Sequence, residues 1–175
     1  FGELEQAYQA FALGQVPQWT PLSIQYSDWA AWQYLAIEIG LKEKIERAKT
    51  RLAGAPEHLS LPVDFPRINS REKRAGYVKQ QLDHHLISGL EALARKEQTT
   101  LFTTILTGYA ILLSRLSRQQ SVVIGSPVSG RTTRDAESLV GYFVNTMAIP
   151  VSVTPHDTGL EILSQARSNL TAALS

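Results

Sequence analysis

Adjacent imidazoles, His84-His85, are the first residues in this chain of 175 that suggest proton transfer. They fall in the first turn of a leucine-striped helix, where solvent-facing polar residues are expected, so the pair reads as solvated rather than catalytic. A second candidate is Gly125-Ser126-Pro127-Val128-Ser129-Gly130-Arg131-Thr132, which follows a strand and nearly spells the phosphate-cradling pattern G-x-x-x-x-G-K-[ST]. That chemistry needs successive backbone N–H groups and a forward-reaching Lys. Here Pro127 removes one N–H and Arg131 replaces the Lys, so nucleotide binding stands as an alternative only. Ser126 and Ser129 lack the G-x-S-x-G context of an activated nucleophile. His58 and His156 stand alone in polar loops, which leaves no metal site. Asn169-Leu170-Thr171 is formally a glycosylation sequon, but it lies within a helix. Two polar residues remain. Arg131 sits just past a strand's carboxyl end, where α/β sheets expose their ligand crevice. Asn145 interrupts the aromatic and aliphatic run Gly141-Tyr142-Phe143-Val144-Asn145-Thr146, where a buried amide is expected to fix its neighbours.

The elements that must position these residues follow from periodicity and punctuation. Leu4, Tyr8 and Phe11 predict a helix over 2–13, capped by Gly14. Gln15 to Leu22 is an extended connector. Ser27 or Asp28 caps a helix carrying Trp29, Trp32, Ala36 and Ile37, with both indoles assigned to the core. Gly40 breaks it before a second stretch marked by Leu41, Ile45, Ala48 and Leu52, which ends at Gly54 and Pro56. Residues 56–74, with three prolines, form a linker. Gly76 to Leu82 is a strand. Asp83 caps a helix with Leu86, Leu90, Leu93 and Ala94. Thr99 or Thr100 caps the next, which is mostly buried and turns Leu101, Ile105, Tyr109, Leu112 and Leu116 inward. Val122-Val123-Ile124 is a strand stopped by Gly125-Ser126-Pro127. Asp135 to Val140 forms a short helix. Met147, Ile149, Val151 and Val153 alternate as a strand, in which Pro150 removes one ladder donor. Thr158-Gly159-Leu160-Glu161 opens a final helix through a capping box, with Leu163, Leu170 and Leu174 on its stripe. Strands alternating with helices give an α/β fold of layered sheet and helices.

Hydrophobic residues make up 43% and charged ones 19%, a balance that supports a packed core rather than disorder. A net charge of +1 gives no electrostatic case for nucleic acid or an anionic membrane. No cysteine is present, which excludes disulfides and thiolate metal sites. No apolar run reaches the roughly 18 residues of a membrane span. The chain begins at Phe1, directly in a helical pattern, and reads as a piece of something longer.

Three stretches carry a family resemblance. Ile124-Gly125-Ser126-Pro127-Val128-Ser129-Gly130-Arg131 followed by Val140-Gly141-Tyr142-Phe143-Val144-Asn145-Thr146 resembles the paired signature of condensation domains in nonribosomal peptide synthetases. Tyr26-Ser27-Asp28-Trp29-Ala30-Ala31-Trp32 is similar to the family's Y-x-D-aromatic-A-x-W element, and Leu61 to Arg67 to its Pro-rich loop. Order and spacing match as well.

The resemblance implies part of a chloramphenicol acetyltransferase-like, coenzyme A-dependent acyltransferase fold with two lobes and a tunnel between them. Residues 1–55 would close the first lobe, 56–74 link, and 75–175 begin the second. The implied activity is amide formation between two carrier-bound (amino)acyl thioesters in secondary metabolite biosynthesis. The substrates would ride on phosphopantetheine arms of partner carrier proteins, with no directly bound cofactor. Adjacent synthetase domains would be further partners, in the cytoplasm, without nucleic acid or membrane. The family's catalytic motif is H-H-x-x-x-D-G and precedes the Y-x-D element. His84-His85 follows that element, with Gly89 where the Asp belongs, so the catalytic histidine is expected upstream of Phe1. Arg131 and Asn145 would border the tunnel. Tyr26 and Asp28 would hold the lobes together, and Gly125, Gly130 and Gly141 would shape the motifs. The Phe143-Val144-Asn145-Thr146 segment favours condensation over epimerisation or heterocyclisation. A piece that only binds or scaffolds is a third reading.

Overall fold

The computed structural model describes residues 2–65 and 76–174, so residues 66–74 of the expected linker lie outside the described residues. The chain separates into two compact units: residues 1–41 with 129–143, and residues 42–128 with 144–175.

In the first unit, helix α1 (Gly2–Ala12) ends as its glycine demands. Gly14 takes φ +70°, and Gln15 N–H and Gly14 N–H donate to the Ala10 and Phe11 carbonyls at 2.8 and 3.0 Å. The Leu4, Tyr8 and Phe11 stripe forms but stays exposed. Helix α2 (Tyr26–Leu52) is continuous for 27 residues, those after Leu41 being counted with the second unit. Gly40 does not break it: one glycine costs a helix interior about 1 kcal/mol, less than the flanking good helix formers return. Its start also differs from expectation. Gln25 precedes the helix, and Asp28 in the first turn accepts the Gln25 N–H at 2.8 Å. A small core of Trp29, Ala136, Leu139 and Phe143 completes this unit. The short helix expected over 135–140 shrinks to a single 3-10 turn, Arg134–Ala136.

The second unit holds α3 (His84–Lys96), α4 (Leu101–Ser117), β1 (Ser121–Ser129), β2 (Val144–Ser152) and α5 (Gly159–Leu174), apart from Ser129. Asp83 and Thr100 cap α3 and α4, accepting the His85 and Thr103 N–H groups. Among the described residues the sheet is the pair β1–β2. Val153 N–H to Gln120 O (2.7 Å) and Gly130 N–H to Phe143 O (2.9 Å) bracket this pair. The strands are therefore antiparallel, with Val122 opposite Val151 and Ile124 opposite Ile149, all four buried.

That register explains why Gly125-Ser126-Pro127 does not stop β1. Pro127 opposes Thr146 at a non-hydrogen-bonded position, where the missing N–H would point away from the ladder. Pro150 occupies the equivalent position opposite Val123, so it costs β2 no donor to β1. Its outward carbonyl instead accepts from Asn169 Nδ2 at 2.7 Å.

Helices α4 and α5 cover the sheet's apolar face through Leu106, Ala110, Leu113, Ile162 and Ala166. The inward face of α4 is thus the opposite of the one expected. Ile105, Tyr109, Leu112 and Leu116 are 43–52% exposed, while Thr103, Thr107, Ala110 and Ser114 are buried. An all-round apolar helix gives periodicity no way to choose its face. The small residues let α4 approach closely, and the Thr107 and Ser114 hydroxyls are satisfied by the Thr103 and Gln119 carbonyls. Residues 76–82 form no strand and are exposed, because an extended segment becomes one only against a ladder partner. No single described helix is long and apolar enough to cross a membrane.

Candidate functional site

The signature stretches meet in the first unit around Phe143, which is 5% exposed. Its ring lies 4.5 Å from the Trp29 ring and 5.3 Å, edge-on, from that of Tyr26. The first turn of α2 brings Tyr26 and Trp29 to one face because they are three residues apart. Arg131 caps the cluster, its guanidinium carbon 3.9 Å from the Phe143 ring centroid. Its Nη1 donates to the Leu139 carbonyl at 2.9 Å and also to that of Ala136, so one side chain closes the loop after β1. Tyr26 Oη donates to the Tyr142 carbonyl at 2.8 Å.

Two of the three expected glycines are required by this packing. A Cβ on Gly130 would lie 2.5 Å from the Phe143 carbonyl oxygen that its own N–H reaches. A Cβ on Gly141 would overlap the Tyr26 ring. Gly125 differs: a Cβ there would meet Thr146 at 3.5 Å, ordinary contact.

Asn145 departs from expectation. It lies in the exposed start of β2, and among the described residues its Oδ1 accepts the adjacent Thr146 N–H, at 2.8 Å. The buried amide expected from the apolar run is absent because that run straddles the strand's entry, where Val144, Asn145 and Thr146 are all exposed. Asp28 makes the local bond to Gln25. Trp32, expected in the core with Trp29, is 52% exposed. Phe143 as the hub escaped the sequence reading: an aromatic in an aromatic run gives no sign of which ring is central.

The phosphate-loop alternative fails on geometry. Gly125 to Ser129 is strand, no long helix follows Gly130, and the Arg131 guanidinium serves two carbonyls. His84 and His85 are exposed in the first turn of α3, with His84 Nδ1 3.3 Å from Ser88 Oγ. The Arg131 guanidinium donates to two carbonyls of one loop and lies over the Phe143 ring, so its geometry fastens that loop.

Comparison with known proteins agrees with the three signatures. The condensation domain model matches residues 1–175. The chain is 38% identical over 174 residues to malpinin synthetase of Mortierella alpina, covering 99% of this chain and 2% of that one. It is 38% identical over 165 residues to the phosphinothricin tripeptide synthetase PhsB of Streptomyces viridochromogenes, covering 94% of this chain and 14% of that one. The crystal structure of the X-domain from teicoplanin biosynthesis superposes with TM-score 0.87 at 25% identity, over 98% of this chain and 39% of that one. The mixed helix and sheet architecture is therefore that of the condensation fold. The chain belongs to the condensation domain family of nonribosomal peptide synthetases. It spans between 2 and 14% of the length of these curated relatives.

Proposed function

We propose that the parent of this chain forms an amide bond between two carrier-bound (amino)acyl groups, the amine of one attacking the thioester of the other. Condensation domains are acyltransferase-type enzymes. The observation that carries the reading is the joining of the ordered signatures by Tyr26, Arg131 and Phe143, residues drawn from all three. In this reading the amine's proton leaves to a histidine on a segment upstream of Phe1, and the thiolate leaves on its phosphopantetheine arm. The arms and their carrier proteins are substrates and partners, in the cytoplasm, beside adjacent synthetase domains. Residues 1–55 close the first lobe and 75–175 begin the second. Arg131 borders the tunnel by fixing the loop between β1 and β2, and Asn145 contributes an exposed amide at the start of β2.

The chain alone is inactive, because none of its described residues combines a histidine with the carboxylate its family motif requires. Incubating it with two loaded cognate carrier proteins yields no amide by mass spectrometry, whereas the intact domain yields product. Amide formed by the chain alone, and lost on His85→Ala, would overturn this assignment.

A further inference from the structure

The β1–β2 pair has two outer edges, and the chain treats them differently. On β2 the outward backbone groups belong to alternate residues, among them Thr146, Pro150 and Ser152. Asn145 Oδ1 takes the Thr146 N–H at 2.8 Å, and Gln165 Oε1 takes that of Ser152 at 2.7 Å. Pro150 has no N–H, and Asn169 holds its carbonyl. Gln165 and Asn169 lie four residues apart, so one face of α5 presents both amides to this edge. Proline and a covering helix are usual ways to close a strand edge. The edge of β1 has no such cover. Among the described residues, the outward N–H and C=O groups of Val123 and Gly125 have no partner. The Gln119 side chain bonds the connector at His58 and Ser60, before the strand rather than along it. Beside Val123 stands a cleft of about 430 Å³, walled by Leu52, Ala55, Pro56, Glu57 and Leu59. Ser121 to Gly125 carries neither the charge nor the proline that marks an edge strand.

We propose that β1 is a central strand in the parent protein, paired on this edge with an extended segment of the same polypeptide from outside residues 1–175. The X-domain of teicoplanin biosynthesis matches 98% of this chain over 39% of its own, so most of the shared fold lies elsewhere in the polypeptide. A two-stranded sheet is marginal by itself. A strand tethered to the same chain also arrives at an effective concentration that a separate protein rarely reaches. Pro127 has no N–H and interrupts the row of donors, so the added strand pairs along Ser121 to Gly125. The proposal rests on the shared fold and not on the reaction assigned above.

The test is amide exchange and amide–amide NOE spectroscopy on the deuterated intact domain. The Val123 and Gly125 amides are expected to exchange at least about a hundredfold more slowly than in an unstructured chain. Their cross-strand NOEs should run to residues outside 1–175, and protection should not depend on protein concentration or on added carrier protein. Exchange near the unstructured rate, while the Ile124 amide stays slow, would show a bare edge and overturn the proposal. Cross-strand NOEs from these two amides to residues within 1–175 would overturn it as well. So would protection that fades on dilution, the sign of a second copy, or protection that requires a carrier protein.

Discussion

Gly141 and Asn145 lie four residues apart in one signature, yet the structure asks different things of them. The Tyr26 ring occupies the space a Cβ on Gly141 would need. Gly141→Ala is therefore expected to destabilise the intact domain by about 1–3 kcal/mol, the usual range for overpacking. Urea unfolding measures it, and a change below about 0.5 kcal/mol would show that the ring moves aside freely. Asn145→Ala removes a bond to the adjacent N–H at an exposed site, where substitutions usually fall within about 0.5 kcal/mol. The same experiment applied to Asn145→Ala should leave the midpoint almost unchanged. A loss of several kcal/mol would mean that other chain segments bury this amide. The sequence exposed the type of these residues and hid their surroundings. A motif marks which positions carry glycine or amide, but a neighbouring ring brought from Tyr26 is a tertiary fact.

Among the elements, the caps of α3, α4 and α5 were legible, whereas the start of α2 and the buried face of α4 were not. Asp83, Thr100 and the Thr158–Glu161 box form as expected because a cap is settled within four residues. The buried face of α4 depends on what approaches it, and a helix rich in Leu, Ile and Thr has two usable sides. The end of β1 lies beyond the expected stop at Gly125 for a related reason. Whether a proline stops a strand depends on cross-strand register, which no local window contains. The α5 cap carries a pH prediction. Glu161 titrates below its ordinary value of 4.5, first because the Thr158 N–H bonds the carboxylate and then because the Thr158 hydroxyl does. A depressed carboxylate stabilises the fold above its unfolded value and loses that contribution as pH falls through the folded one. Protection of the amides at the start of α5, with the intrinsic pH dependence of exchange divided out, should therefore weaken as pH falls below 4.5, and Glu161→Gln should remove most of that acid dependence. An unchanged acid limb in Glu161→Gln would show that another group controls the helix end.

At the level of the molecule, ordered signatures revealed the family more readily than periodicity revealed the packing. Tyr26, Arg131 and Phe143 are separated by more than a hundred residues at their extremes, and the family signature marks all three. Physical chemistry then supplies their role: an aromatic hub, a guanidinium that closes a loop, and a phenol that bonds the Tyr142 carbonyl. The central claim is that this assembly builds the domain and takes no part in proton transfer. It is tested most directly by amide formation and urea unfolding measured together on Arg131→Ala in the intact domain. Losing charge-assisted bonds to the Ala136 and Leu139 carbonyls should lower stability by about 2 kcal/mol or more, since such bonds contribute about 1.5–3 kcal/mol each. The account predicts that activity falls together with folded fraction and that Arg131→Lys restores little of either. A variant as stable as the parent but slower by several powers of ten would contradict it and place Arg131 in the chemistry.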